Sequence, residues 1–416
     1  PLRLAKRTTG CRSDCMKDVP YFLPLEEAIK LSLEHPLPYT IEDVNLDEAH
    51  QRILAEDLSS KVNDPPFDNS AMDGFAVRFE DTKEASSTLD IIATSQAAAG
   101  DEQLSVTSGQ AVRIMTGAPM PGGADAIIPI EACTIDGNSV TLNQPSKPHF
   151  IRKRGENIAM GQIGLERGCY LTPQSISMCA TMGYSSVPVV KKLKIGIIST
   201  GDELKPPGEN LSYGEIYESN SYGLSGLVRM LGHIPIRYPA VHDSMDALRA
   251  QFDVAAEECD LFLTSGGVSM GEWDFVRKLM EMEGDLVFWR VKIRPGSPPL
   301  FGHWNGTPMF GLPGNPVSSH VVFRMLVVPY LRGSLKTTFP YDRIVHARLN
   351  TNVRSTKDCL TLRRVTLQST EDGFIANQPK HQGSGNIDSL SSADGLTLLQ
   401  PGQSGEAGEL IQVLLL

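Results

Sequence analysis

Behind Pro24 the apolar residues Leu25, Ala28, Ile29 and Leu33 fall on one helical face, with Glu26 and Glu27 in the first turn. That spacing predicts an amphipathic helix with acids at its positive end. A second short helix is expected at 47–57. Between 61 and 142 the period changes. Short β-prone runs at 75–77, 89–93, 111–115, 126–130 and 139–142 are separated by Gly, Pro, Asn and Asp, as in an all-β module. Mixed strands and one helix, at 175–182, follow between 152 and 183.

From Lys191 the pattern becomes an alternation of strand and helix. Apolar strands at 193–199, 234–241, 261–264 and 308–312 alternate with helices at 221–231, 245–258, 274–282 and 317–331, and 286–293 reads as extended. Short, continuously apolar strands are buried on both faces, which predicts a parallel sheet covered by helices on both sides. After Gly333, strands at 344–349, 359–367, 396–399 and 410–415 predict a small β-barrel or sandwich. The expected fold class is therefore α/β plus β, in a multidomain chain.

Charge narrows the functions. Lys and Arg number 38 against 49 Asp and Glu, a net charge of −11. That balance argues against nucleic-acid coating, which runs on basic patches. The most apolar stretch, 321–331, is broken by Arg324 and Pro329 and falls short of the ~20 residues of a membrane helix. No membrane association is expected. The opening PLRLAKRTTGCRSDCMKD has no apolar core of the kind a secretory signal carries, and 1–19 is expected to be a flexible tail. Seven scattered cysteines, with no Cys or His pair near Cys11 and Cys15 to complete a zinc set, suggest reduced thiols and a cytoplasmic protein.

In an open parallel sheet, ligands bind beyond the carboxyl ends of the strands. Three motifs have that position. Ser199-Thr200-Gly201-Asp202-Glu203 follows the first strand, Thr264-Ser265-Gly266-Gly267-Val268-Ser269-Met270-Gly271 the third, and Leu312-Pro313-Gly314-Asn315-Pro316-Val317-Ser318 the last. Glycine lets backbone N–H groups approach an anion, so the three loops together predict a crevice for phosphate or another oxyanion. None is a Walker motif or a GxGxxG fingerprint. Asp202, Glu203, Asp243 and Asp274 share that edge. Carboxylates around an anionic ligand call for a cation, and hard oxygen donors beside phosphate suit Mg²⁺. Asp274, directly ahead of a helix, also has the position of an N-cap. A second polar cluster, Pro65-Pro66-Phe67-Asp68-Asn69-Ser70-Ala71-Met72-Asp73-Gly74-Phe75, lies in the β module, with Thr116 at a strand end in Arg113-Ile114-Met115-Thr116-Gly117-Ala118-Pro119. Each also fits turn chemistry, Asp73-Gly74 that of a hairpin.

The stretches PPFDNSAMDGFAVR, RIMTGAPMPGGADA, IRKRGENI, STGDEL, SGGVSMGEWDF, LPGNPVSS and HQGS occur in this order from about Tyr21 to Leu416. Together they resemble the molybdopterin molybdenumtransferase (MoeA) family, which includes the E domain of gephyrin. The resemblance implies a four-part chain. A central domain takes 20–47 and 148–187, and a β module at 48–147 is inserted into it. A doubly wound α/β domain like the MogA adenylyltransferase takes 188–334, and a β-barrel-like domain 335–416. It implies a transferase that consumes adenylylated molybdopterin and molybdate, with Mg²⁺ assisting release of AMP. Asp73, Thr116, Glu203, Asp243 and Asp274 carry over as the catalytic positions, with Glu203, Asp243 and Asp274 as candidate metal ligands. Ser265, Gly266, Gly267, Ser269, Arg294, Pro313, Gly314, Asn315 and Ser318 are expected to bind the cofactor, joined by Arg364 and by Ser384 of HQGS. Arg152 and Arg154 are candidate counter-charges. The family also implies a homodimer in which Asp73 and Thr116 face the other protomer's crevice, supplied by a MogA-type adenylyltransferase.

One stretch departs. Where bacterial members resemble Lys-Pro-Gly-Lys, this chain has Arg294-Pro295-Gly296-Ser297, which keeps the first charge and loses the second. A cofactor-binding or gephyrin-like scaffold with little turnover is therefore the alternative function. Adenylylation of molybdopterin itself, from the likeness to MogA, is a third.

Overall fold

A computed structural model describes residues 19–98, 104–271, 274–403 and 405–416. The expected tail at 1–19, with Cys11 and Cys15, lies outside these residues apart from Val19, as do Glu272 and Trp273 of the SGGVSMGEWDF stretch.

The largest sheet has seven strands: β1 (Tyr21–Leu23), β2 (Lys194–Ser199), β3 (Ile234–Arg237), β4 (Leu261–Ser265), β5 (Asp285–Val291), β6 (Leu300–Trp304) and β7 (Thr307–Leu312), in the order β1-β5-β6-β7-β4-β2-β3. Alternate side chains feed two cores. Ile195, Ile197, Leu261, Leu263, Phe310 and Leu312 join one cluster, and Ile198, Phe262 and Met309 the other. This is why the strands read as continuously apolar. The first cluster is covered by α1 (Leu25–Leu33), α2 (Asn220–Met230) and the helical stretch from Pro316 to Ser334; the second by α3 (Met245–Glu258) and α4 (Phe275–Met282). Ser244 caps α3, accepting the Ala247 N–H at 3.2 Å.

The sheet corrects the expectation of an all-parallel one. β7, β4, β2 and β3 run parallel, but β6 is antiparallel to both β5 and β7. Asn305 and Gly306, with φ of 50° and 86°, make the two-residue turn between β6 and β7. β1 pairs with β5, so Tyr21–Leu23 forms the edge of this sheet, and α1 packs against its first core. The expected helix at 317–331 is broken into Pro316–Val322, a π-helical turn at Phe323–Val327 and Val328–Ser334, because Pro329 has no N–H for the α-helical ladder.

The expected helix at 47–57 is only a 3₁₀ turn, Leu46–Glu48. Gln51 is left-handed at φ 63°, and the N–H groups of Gln51 and Leu54 bond outward to Leu171 and Cys169. These residues build a small core with 158–190, including Leu54, Leu58, Ile158, Leu171 and Val189. The inserted sheet itself spans Gly74 to Leu142 in six strands. The C-terminal strands close into a five-stranded barrel of Ile344–Leu349, Gly373–Asn377, Arg364–Thr370, Gly395–Thr397 and Leu410–Leu415. The expected strand 359–367 is two: Leu360–Thr361 pairs with Ile293–Arg294 beside the large sheet, and Arg364–Thr370 enters the barrel. Among the described residues no helix is long and apolar enough to cross a membrane.

Candidate active site

The loops after β2, β4 and β7 meet at the carboxyl edge of the sheet in a crevice of about 1040 Å³, closed from the barrel side by Thr356, Arg363, Gln382 and Ser384. Backbone bonds tie the loop roots together: the Thr200 N–H donates to Ser265 O at 3.0 Å, and that of Gly266 to Leu312 O at 3.1 Å. Two glycines are required here. Gly266 and Gly267 have φ of 108° and 65°, and a Cβ on Gly266 would lie 2.7 Å from Thr200 Oγ1. The Gly266–Gly271 loop is clamped from behind. Trp289 Nε1 donates to Val268 O at 3.0 Å and Arg277 Nε to Ser269 O at 3.1 Å, while the Arg277 guanidinium lies 4.8 Å from the Trp289 ring centroid.

Glu203, Asp243 and Asp274 line the crevice, as do Arg294 and Arg363. Asp243 is half-buried. Burial pushes its carboxyl above the usual carboxylate range, and the charges of Asp202, Glu203 and Asp274 push it further. Asp202 lies nearby but does a different job. Its Oδ1 pairs with His242 Nδ1 at 2.9 Å and accepts the Asp243 N–H at 3.2 Å, which holds its own carboxyl low. Asp202 therefore fixes the turn that carries Asp243. Asp274 occupies the N-cap position of α4 but does not cap it; its carboxylate accepts the Gly271 N–H instead.

Three oxygen-bearing side chains around one raised carboxyl fit a hard divalent cation in chemistry. Among the described residues, however, no three His, Cys, Asp or Glu side chains converge as a ready-made metal cluster. The arrangement matches an ion held by one or two carboxylates, with water and substrate oxygens filling the rest of its shell.

Asp73 and Thr116 sit elsewhere, at one end of the six-stranded sheet and outside the crevice. Both are exposed. The Thr116 N–H and hydroxyl donate to Asp73 Oδ1 at 2.7 and 2.8 Å, which lowers the Asp73 carboxyl below its ordinary range. Asp73-Gly74 is not a hairpin turn. Gly74 opens a strand so close to its neighbour that a Cβ would fall 2.0 Å from Ile128 O. Three polar stretches converge here: Asp68 accepts from Lys153 Nζ at 2.9 Å and from the Arg154 N–H at 2.8 Å, and Gly117 N–H donates to Ser70 O at 2.8 Å. Arg152 and Arg154 are exposed at this end, outside the crevice.

Residues 23–183 match the MoeA N-terminal region (domain I and II), 196–333 a probable molybdopterin binding domain, and 346–416 the MoeA C-terminal region (domain IV). A molybdopterin molybdenumtransferase of Haemophilus influenzae is 41% identical over 313 residues, 74% of this chain and 77% of that protein. One of Bacillus subtilis is 33% identical over 405 residues, 95% of this chain and 94% of that protein. The chain belongs to the MoeA family. The crystal structure of the molybdopterin biosynthesis MoeA protein of Pyrococcus horikoshii OT3 superposes with a TM-score of 0.82 at 31% identity, covering 95% of this chain and all of that one.

Within this MoeA-family architecture, Gly266, Gly267, Ser269, Arg294, Pro313, Gly314, Asn315, Ser318 and Ser384 line the crevice. Ser265 lies just beneath it, fully buried. Arg364 is fully buried and does not line the crevice. Its Nε donates to Ser389 Oγ at 3.1 Å and its Nη2 to Gly383 O at 2.9 Å, so it props the 382–385 wall from inside, and burial draws it down to about 10. Its neighbour Arg363 faces the crevice. Arg364 opens a barrel strand and Arg363 precedes it, and the sequence shows the Arg-Arg doublet without showing which one points in. Ser297 lines the crevice but is nearly inaccessible, its hydroxyl donating to Ile293 O at 2.7 Å; among the described residues the cations lining the crevice are Arg294 and Arg363. Gln382 stands within the HQGS stretch, where only Ser384 was singled out, and Thr356 carried no sequence signal.

Proposed function

We propose that the chain inserts molybdenum into molybdopterin, consuming the adenylylated pterin and molybdate and releasing AMP with the help of Mg²⁺. The observation that carries this reading is the set of carboxylates on the glycine-loop crevice, where Asp243 is pushed up by burial and by Asp202, Glu203 and Asp274. Bound Mg²⁺ would neutralise phosphate charge as an oxygen attacks phosphorus, the bond to AMP breaks, and AMP leaves. The residues fitted to hold it are Asp243 and Asp274, with Glu203 facing the metal or the pterin. The glycine loops offer backbone N–H groups to phosphate. Arg294 and Arg363 hold oxyanions, molybdate included. Asp73 and Thr116 complete the site from a second copy of the chain, which makes the working unit a homodimer. The adenylylated substrate would come from a separate adenylyltransferase.

The test mixes purified chain, adenylylated molybdopterin, Mg²⁺ and molybdate. AMP release and formation of active cofactor are expected, and the absence of both would sink the reading. The missing charge at Ser297 favours one rival, a binding or scaffold protein. Saturable pterin binding with no AMP release would select it.

A further inference from the structure

One side chain touches two of the three glycine loops, and a buried carboxylate sets it in place. Glu218 is only 8% exposed. Its Oε1 accepts from Ser199 Oγ at 2.8 Å and from the Ser221 N–H at 2.7 Å, and its Oε2 accepts from Ser221 Oγ at 2.6 Å. Ser199 ends β2 and Ser221 is in the first turn of α2, so this carboxylate pins the start of the helix to the end of the strand. Ser219, in the N-cap position, makes no side-chain cap; Glu218 does that work from one residue earlier. Asn220, thereby fixed, sends Nδ2 to Ser265 Oγ and to Gly314 O, each at 2.7 Å. Ser265 ends β4, at the root of its glycine loop, and Gly314 belongs to the loop after β7. Behind them Ser265 Oγ lies 3.4 Å from Pro313 O and from Ser319 Oγ. The amide is thus a two-pronged spacer between two backbone cradles.

We propose that Glu218 and Asn220 are positioning residues that set the separation of the Gly266–Gly267 and Pro313–Gly314 loops, and so the fit of the phosphate-bearing pterin. Neither residue needs to touch the reacting atoms. The inference rests on the proposed function. A spacer of this kind acts on how well the cradle matches its ligand, so its loss shows in binding and KM before kcat. A merely structural role would instead lower thermal stability and the active fraction, leaving KM unmoved.

The test measures molybdopterin binding to the full chain by fluorescence titration, then KM, kcat and Tm for the variants. Asn220→Asp keeps the size and removes both donors. It is expected to weaken molybdopterin binding about tenfold, two hydrogen bonds being at stake, and to raise KM in step, with kcat within about twofold. Glu218→Ala should behave alike. Glu218→Gln, which retains an acceptor for the Ser221 N–H and the Ser199 hydroxyl, should restore binding close to the native value. Native binding by a folded Asn220→Asp overturns the inference and leaves the functional reading standing. So does loss in Glu218→Gln as deep as in Glu218→Ala, since charge and not geometry would then be at work. No molybdopterin binding by the unchanged chain overturns both.

Discussion

Two regions of the molecule carry carboxylates in opposite electrostatic states. In the crevice, Asp243 is half-buried and its carboxyl is pushed up by burial, Asp202, Glu203 and Asp274. On the β module, Asp73 is exposed and its carboxyl is pulled down by the Thr116 N–H and hydroxyl. The first is a cluster of like charges that the proposed Mg²⁺ would relieve. The second is already satisfied on one oxygen and stays ionised, held in one direction by a two-point contact. The same residue type is crowded by like charges in one place and presents a fixed negative charge in the other, and the surroundings decide which.

The largest expected effect lies on the crevice side. Asp274→Ala should lower turnover by about a hundredfold or more, the usual scale for losing one electrostatic group at a reacting centre, while circular dichroism stays native. Retained turnover would remove Asp274 from the mechanism. Next, subunit mixing sharpens the comparison. Asp73→Ala and Asp274→Ala should each be inactive alone. Equal mixing after dissociation should restore about a quarter of native activity, because half of the dimers then hold one intact composite site. No recovery would place both residues in one chain's site.

Titration separates the regions more finely. Mg²⁺ affinity, measured calorimetrically, should fall as pH drops through the raised Asp243 range, since the protonated carboxyl cannot ligate. Asp73→Asn should leave that curve unchanged, and a shift would tie Asp73 to the metal. The smallest effect is on stability. Because the folded-state Asp243 carboxyl titrates higher than the unfolded one, its ionisation costs the fold above the unfolded carboxyl range, and the cost vanishes at lower pH. Asp243→Asn should therefore hold or raise Tm at neutral pH by about a degree or two. Asp73 has the opposite sign: its lowered carboxyl contributes stability above the unfolded range, lost as pH falls through the folded value. Asp73→Asn should lower neutral-pH Tm slightly, solvent screening keeping the effect small. A fall for Asp243→Asn would contradict its mutual repulsion with neighbouring acids.

Much of this was legible in the residues. The 245–258 helix and the strands 344–349 and 410–415 have the bounds their periodicity predicts, because each has a clear apolar face. What failed was local turn chemistry. Asn305-Gly306 is a strong hairpin signal, and reading it would have made β6 and the antiparallel pairings visible. Gln51 ended a helical pattern by adopting a left-handed backbone that nothing in its side chain announces. In the site, the glycine loops were legible because anion cradles need glycine at defined places. Glu218 and Asn220 were not, because their role depends on three loops meeting in space. Arg363 was missed because the Arg-Arg doublet does not show which residue is buried where the barrel strand begins.

The most direct measurement is AMP release from adenylylated molybdopterin with molybdate, with and without Mg²⁺, by the native chain and by Asp243→Asn side by side. The account predicts release by the native chain only when Mg²⁺ is present, and little or none by a folded Asp243→Asn. Equal release by both proteins without added metal would contradict it.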